Sequence, residues 1–154
     1  MNSIAGLIGD KGTYAKLVPD ETTKQRIATL TNQINLQNAA SVNSLHVTVV
    51  YSKKGCYGIS NIDAQLPIKA DGVGFDLFNN PDGSKCLVLL LDSPAIHQLH
   101  RVCHDMYGAV YDYPSYKPHI TLSYDYSSAL PNASLLEFFK NLTFDQYKVE
   151  ALIS

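Results

Sequence analysis

The sequence predicts an α+β protein whose mostly antiparallel strands form two lobes around a central cleft. One observation behind this prediction is a short phrase that occurs twice, as Leu-His-Val-Thr-Val at Leu45–Val49 and as Pro-His-Ile-Thr-Leu at Pro118–Leu122. The other is that each phrase ends a succession of strand, helix and strand, and that His119 follows His46 by 73 residues. The chain therefore resembles two copies of one unit, at about 11–52 and 84–125.

Local signals support each element in turn. Pro19-Asp20 and Ser93-Pro94 are typical of helix starts, the second strongly so, since serine is a good N-cap and proline suits the first helical position. Asn79–Gly83 is dense in turn residues and separates two apolar strands. The predicted elements are, in order, strand 11–18, helix 21–36, strand 44–52, loop 53–61, short strand 62–68, strands 73–78 and 85–91, helix 94–108, short strand or loop 109–116, strand 118–125, short helix 132–140 and strand 146–153.

The repeated phrase predicts a catalytic pair. Strand side chains alternate between faces, so His46 and Thr48 point the same way while the apolar residues between and after them point the other way. The same holds for His119 and Thr121. Two imidazoles with pKa values near neutrality supply a general base and a general acid, which is enough to cleave a phosphodiester without a metal.

The chemistry fits a ribonucleotide substrate. One imidazole would remove the proton of a 2′-hydroxyl that attacks phosphorus, and the other would protonate the leaving 5′-oxygen. Thr48 and Thr121 would donate hydrogen bonds to the non-bridging oxygens, where charge accumulates. The resulting cyclic phosphate would be hydrolysed with the two histidine roles exchanged. The sequence leaves open which histidine acts first as the base.

Composition limits the other possibilities. We expect one domain over residues 1–154 with an ordinary globular composition, 45% hydrophobic and 17% charged. A net charge of −2 argues against binding long nucleic acid, which needs a basic face. No membrane span or signal peptide is evident, and three cysteines without CxxC spacing are expected to be free thiols in a reducing cytoplasm.

A second histidine group, His97, His100 and His104, lies within one predicted helix. Its outer members stand about 10 Å apart along the helix axis, since each residue rises about 1.5 Å. Three imidazoles so spread do not converge on one metal ion. We therefore predict a solvated side of the helix here, and no metal site in the protein.

Four further residues are candidates for substrate contacts, each with a plain structural alternative. Tyr14 either faces the cleft or packs in the core, and Phe75 (like Phe78) either stacks on a base or packs in the core. Lys117 shares a strand face with His119, where it either adds charge at the phosphate or is merely solvated. Glu150 stands in an apolar final strand and either accepts from a guanine edge, orients a histidine or lies exposed at an edge.

The paired His-x-Thr strands in a duplicated frame resemble the two-histidine (2H) phosphoesterase superfamily, whose members share a bilobal fold with these motifs on central strands. The whole chain, with Gly12-Thr13-Tyr14 and the block Lys117–Tyr124, is similar to the phage anti-CBASS nucleases, in particular those of T4-like phages. The resemblance implies hydrolysis of cyclic di- and trinucleotide messengers in the cytoplasm of an infected bacterium. It implies no cofactor and no obligate protein partner, and it favours a Tyr14 that faces the ligand.

Two other functions remain open at this stage. One is an RNA-end-processing enzyme that acts on 2′,3′-cyclic phosphates or 2′–5′ linkages. The other is a non-catalytic sponge that sequesters the messenger, although mere binding has no need of paired His-x-Thr motifs. Formation of a linear product from a cyclic dinucleotide in the presence of EDTA separates these possibilities.

Overall fold

A computed structural model describes residues 12–110 and 115–152. Within these ranges the chain forms six strands, two α-helices and three short 3₁₀ segments. In chain order they are β1 (Thr13–Pro19), α1 (Glu21–Gln33), a 3₁₀ segment (Val42–Ser44), β2 (Val47–Ser52), a 3₁₀ segment (Tyr57–Asn61), β3 (Ile68–Asn79), β4 (Lys85–Asp92), α2 (Pro94–Tyr107), β5 (His119–Ser123), a 3₁₀ segment (Ala133–Phe139) and β6 (Leu142–Ala151).

The strands are hydrogen-bonded in the closed order β1-β2-β5-β4-β3-β6, and every neighbouring pair is antiparallel. The predicted fold class is confirmed. β2 and β5, the strands of the repeated phrase, lie side by side at a seam whose one registered pair is Val47 with Ile120. The division of a single domain into two pseudo-repeats stays a prediction.

Both α-helices begin where their capping residues predict. The Asp20 carboxylate accepts a hydrogen bond from the Thr23 amide at 2.8 Å, and the Ser93 hydroxyl accepts one from the Ile96 amide at 3.2 Å. α1 ends at Gln33, three residues earlier than predicted, and Asn35 beyond it adopts a positive φ of 52° that a helix cannot continue. α2 ends as predicted near Gly108, whose φ of 76° suits glycine.

Outside the two repeats, the structure differs more from the predicted elements. A short strand at 62–68 is wrong, because strand structure begins only at Ile68. β3 then runs to Asn79, since its first residues pair with β6 before the rest pairs with β4. For the same reason β6 starts at Leu142 and not at 146, and the predicted helix at 132–140 is a 3₁₀ segment. Parts of the predicted elements at 11–18, 109–116 and 146–153 lie outside the described residues.

The strands have one apolar face and one polar face. The apolar face joins the two α-helices in a single core, to which β2 contributes Val47 and β5 contributes Ile120, both fully buried. Cys56, Cys86 and Cys103 are buried and free. No helix in the described part of the chain is long and apolar enough to cross a membrane. The opposite face of the strands, here called the cleft face, carries the repeated histidines and threonines.

Candidate active site

The β2–β5 seam brings the two His-x-Thr motifs together. Val47 and Ile120 are register partners and point into the core, so the residues on either side of them point to the cleft face. The antiparallel register sets His46 opposite Thr121 and Thr48 opposite His119. The two histidines are then diagonal neighbours, a relation in which residues of an antiparallel pair are about 7–8 Å apart and their Cβ atoms somewhat closer. That spacing leaves room for a phosphate between the imidazoles.

Both imidazoles are oriented by the backbone two residues upstream. His46 Nδ1 donates a hydrogen bond to the Ser44 carbonyl at 2.7 Å, and His119 Nδ1 donates to the Lys117 carbonyl at 2.8 Å. A carbonyl only accepts, so each Nδ1 carries the proton. In the neutral ring the lone pair therefore resides on Nε2. Each histidine can take or give a proton at that atom.

His119 packs against an aromatic ring of β3. Its ring lies 4.8 Å from the ring of Phe78, edge to face at 74°. Burial lowers the pKa of His119, the neighbouring His46 lowers it further, and the hydrogen bond to the Lys117 carbonyl opposes both. His119 is thereby favoured in the neutral form, which is the form a general base needs.

Each threonine stands next to a tyrosine hydroxyl: Thr48 next to Tyr14, and Thr121 next to Tyr124. Burial raises the pKa of both tyrosines, so their hydroxyls stay protonated near neutral pH. The Tyr14 ring also meets the His46 ring edge to face, at 6.3 Å between centroids. Tyr14 thus faces the cleft, as one of its two interpretations predicted.

Glu150 lies at the border of this site. It is the register partner of Tyr14 on β6, and its Oε1 is 3.8 Å from Lys16 Nζ. Its side chain is 58% exposed. Lys16 also stands 5.6 Å from the centre of the Tyr14 ring, close enough for a cation–π contact. Lys16 and Glu150 therefore lie beside Tyr14, outside the two His-x-Thr motifs.

Phe75 packs against the core, which is one of its two predicted placements, whereas a role for Lys117 at the phosphate stays a prediction. Phe75 pairs with Leu89, packs against Phe139 at 6.0 Å and lies on the core face, so the structure does not bring it to the site. Phe78, the other aromatic considered on this strand, lies against His119 instead. Lys117 is exposed, and its contact with His119 is made by its backbone carbonyl.

The predicted solvated histidine face of α2 is wrong. Tyr116 covers it, stacked on His100 at 3.8 Å and 6° and edge to face with His97 at 5.7 Å. His100 Nδ1 donates to the Val49 carbonyl at 2.8 Å, and the Tyr116 hydroxyl donates to the Thr48 carbonyl at 2.7 Å. This group supports the backbone of β2 next to the catalytic residues. Across the described ranges, no three His, Cys, Asp or Glu side chains are grouped to hold a metal ion.

Sequence reasoning missed the polar neighbours of the catalytic group. Lys16, Lys24, Lys148 and Gln146 line a groove of about 430 Å³ that reaches His46. Tyr124 also lines this groove. One signal was available for Lys16: it stands two residues after Tyr14 on the same strand. Lys148 had a comparable signal, because it stands two residues before Glu150.

Comparison with known proteins relates this chain to one family of phage proteins. Residues 11–152 match the family model described as anti-CBASS protein Acb1. The relative of that name from Vibrio phage KVP40 is 31% identical over 122 residues, covering 79% of this chain and 78% of the relative. The one from Acinetobacter phage Ac42 is 34% identical over 116 residues, covering 75% of each. The one from Enterobacteria phage T4 is 28% identical over 114 residues, covering 74% of this chain and 72% of the relative.

Solved structures show the fold. The crystal structure of E. coli LigT complexed with 3′-AMP superposes with a TM-score of 0.56 at 13% identity, covering 92% of this chain and 87% of LigT. A crystal structure described as a phosphoesterase has a TM-score of 0.55 at 13% identity, covering 92% of this chain and 88% of that one. At such low identity the likeness concerns the fold alone.

Proposed function

Because the chain belongs to the Acb1 family of anti-CBASS proteins and has a phosphoesterase fold, we propose that it hydrolyses the 3′–5′ phosphodiester bonds of cyclic di- and trinucleotide messengers without a metal. One observation carries the proposal. Two imidazoles, each with Nδ1 bound to a backbone carbonyl, stand diagonally across the β2–β5 seam with a threonine beside each. This arrangement supplies a base, an acid and two hydroxyl donors around one phosphate.

The geometry supports a division of labour. His119, whose pKa is lowered by burial, takes the proton of the attacking 2′-hydroxyl at Nε2. His46 protonates the departing 5′-oxygen from its own Nε2. The P–O5′ bond breaks as the P–O2′ bond forms, which leaves a 2′,3′-cyclic phosphate. Water then opens that ring with the roles of the histidines exchanged.

The consequence for the infected bacterium follows from the substrate. CBASS immunity uses cyclic oligonucleotides as messengers that switch on an effector. A protein that linearises them in the host cytoplasm keeps the effector silent. Such a protein needs to recognise a small charged ring, and its net charge of −2 is compatible with that because a few local cations suffice in a cleft.

The test is cleavage of a cyclic dinucleotide by the purified protein in excess EDTA, followed by mass spectrometry. We expect a linear product, preceded by a cyclic-phosphate intermediate. An analogue that is 2′-deoxy at the scissile nucleotide should survive. Loss of turnover in EDTA that zinc or magnesium restores would contradict the metal-free chemistry, and rapid cleavage of the deoxy analogue would contradict attack by the 2′-hydroxyl.

The same assay separates the other candidate functions. An RNA-end-processing enzyme would hydrolyse a 2′,3′-cyclic nucleotide or a 2′–5′ dinucleotide and leave the cyclic dinucleotide intact. A sponge would hold the cyclic dinucleotide without converting it, which equilibrium dialysis would reveal.

A further inference from the structure

A line of polar residues crosses four neighbouring strands on the cleft face. Lys148 on β6 is the register partner of Lys16 on β1, and Lys16 is the register partner of Thr48 on β2. Thr48 in turn lies opposite His119 on β5 through the Val47–Ile120 pair. We call these four residues the transverse row. Adjacent strands are about 4.8 Å apart, so Lys148 stands about 10 Å from the catalytic strand β2.

The two lysines of the transverse row repel each other, and this repulsion destabilises the folded state. Like charges directly opposite each other on neighbouring strands are destabilising. The Glu150 carboxylate meets Lys16 only at 3.8 Å and from a largely exposed position, which offsets little. Lys24 of α1 adds a third ammonium to the groove that the row borders. An anionic ligand in this groove would remove the repulsion.

The other end of the row carries no charge. Beyond His119 the next register partners are Leu90 on β4 and then Gly74 on β3. Within this row, the cations therefore lie on one side of a phosphate held between the histidines, towards β1 and β6.

We propose that the groove formed by Lys16, Lys24 and Lys148 binds the second phosphate of the cyclic oligonucleotide, the one that is not cleaved. This subsite rests on the function proposed above. In a cyclic dinucleotide the two phosphates face each other across a small ring. With one phosphate at the histidines, the second is directed into the lysine groove. The groove thus distinguishes a cyclic messenger from a ribonucleotide that has a single phosphodiester.

The test compares three probes with the same adenine bases and the same scissile linkage: cyclic di-AMP, the linear dinucleotide pApA and the dinucleoside monophosphate ApA. The first two carry a second phosphate and ApA does not. For the wild type we expect kcat/KM to be higher for the first two. Lys16→Met and Lys148→Met should each lower kcat/KM by about tenfold for cyclic di-AMP and pApA, and leave ApA within about twofold, since a charge-assisted contact to phosphate is lost.

Lys85→Met is the matched control, because Lys85 is an exposed lysine at the start of β4 and lies away from the groove. It should leave all three probes unchanged. Equal losses on all three probes in Lys16→Met and Lys148→Met would overturn the proposal, because the lysines would then serve the scissile phosphate or the fold. Unchanged kinetics on all three probes in both variants would overturn it as well.

A binding measurement tests the phosphate subsite independently of the proposed hydrolytic activity. Calorimetry with the His119→Ala variant should show tighter binding of cyclic di-AMP than of ApA, and adding Lys148→Met should remove the difference. If the wild type bound cyclic di-AMP in this lysine-dependent way but cleaved none of the probes, the activity would be refuted and the phosphate subsite supported. Equal binding of both probes to His119→Ala would refute the subsite.

Discussion

His46 and His119 carry the same motif in two different environments. Both bind a carbonyl two residues upstream through Nδ1, so both present Nε2 to the cleft. His46 opens onto a groove lined by lysines and meets the edge of Tyr14. His119 is packed against Phe78, and burial lowers its pKa. The two histidines therefore share a motif but differ in their surroundings, and the surroundings suit each ring to a different role.

Under the proposed function, this difference distinguishes the base from the acid within a duplicated motif. The strand phrase supplies two imidazoles, and burial of His119 favours its neutral form. In the proposed mechanism, His119 accepts the first proton and His46, which borders the lysine groove, delivers one. Substitutions on the two sides should accordingly differ in kind, and the following experiments measure how.

Removing either imidazole should have the largest effect. His46→Ala and His119→Ala should each lower kcat by about 10²–10⁴-fold, the usual contribution of one proton-transfer group. The double variant should be little worse than either single one, because the two groups act as a unit. Steady-state kinetics on a cyclic dinucleotide measure this, with the far-ultraviolet circular dichroism of each variant as the folding control. Near-normal turnover in either single variant would refute the paired mechanism.

Removing a threonine hydroxyl should have the next largest effect. Thr48→Ala and Thr121→Ala should each lower kcat by about 10²-fold, since each loses one donor to the phosphate oxygens. Thr48→Ser and Thr121→Ser retain the hydroxyl and should recover most of the loss. If the serine variants were as impaired as the alanine variants, the threonines would act through packing and not as donors.

Phe78→Ala should alter the pH dependence of the reaction more than its maximum. Without the ring, water reaches His119, and the pKa of the imidazole rises back towards its ordinary value. A base is active only when deprotonated, so the acidic limb of the kcat/KM profile should move to higher pH. Activity at mildly acid pH should fall a few-fold while the plateau is retained. Phe138→Ala, at a ring that is 52% exposed, is the control and should leave the limb in place.

An unmoved acidic limb in Phe78→Ala would contradict the assignment of His119 as the first base. If the acidic limb moved only in Tyr14→Phe, which alters the surroundings of His46, His46 would be the first base and His119 the acid.

Tyr116→Phe should have the smallest effect, a modest loss of thermal stability that arises at β2 alone. It removes the hydroxyl that donates to the Thr48 carbonyl at 2.7 Å. The loss of one such hydrogen bond is worth about 1 kcal/mol, or about 2–4 °C in Tm for a chain of this size. Thermal unfolding measures it, with Tyr107→Phe at the exposed end of α2 as the control. An unchanged Tm would show that the β2 backbone does not depend on Tyr116.

The sequence predicted the parts of the site that local rules determine. His46, Thr48, His119 and Thr121 share a face because strand side chains alternate, and this needs no knowledge of the partner strands. Helix starts were found for a similar reason, since Asp20 and Ser93 are caps that act within one turn.

Features that depend on strand pairing could not be predicted in this way. Alternation says that Phe75 and Asp76 face opposite sides, but the register with β4 decides which side is the core. The juxtaposition of Lys16 and Lys148 likewise requires β1 to lie beside β6, strands more than 120 residues apart in the sequence. The covering of His100 depends on Tyr116, which folds back onto α2 from the segment that follows this helix.

The acceptors that orient the two catalytic rings belong to the main chain, at Ser44 and Lys117. A carboxylate in that role can be lost by one mutation, whereas every amino acid supplies a carbonyl. The side chains at these two positions are therefore free to diverge without disturbing the tautomer of either histidine. Such an arrangement allows residues at the rim of the cleft to change during evolution while the two histidine rings keep their orientation.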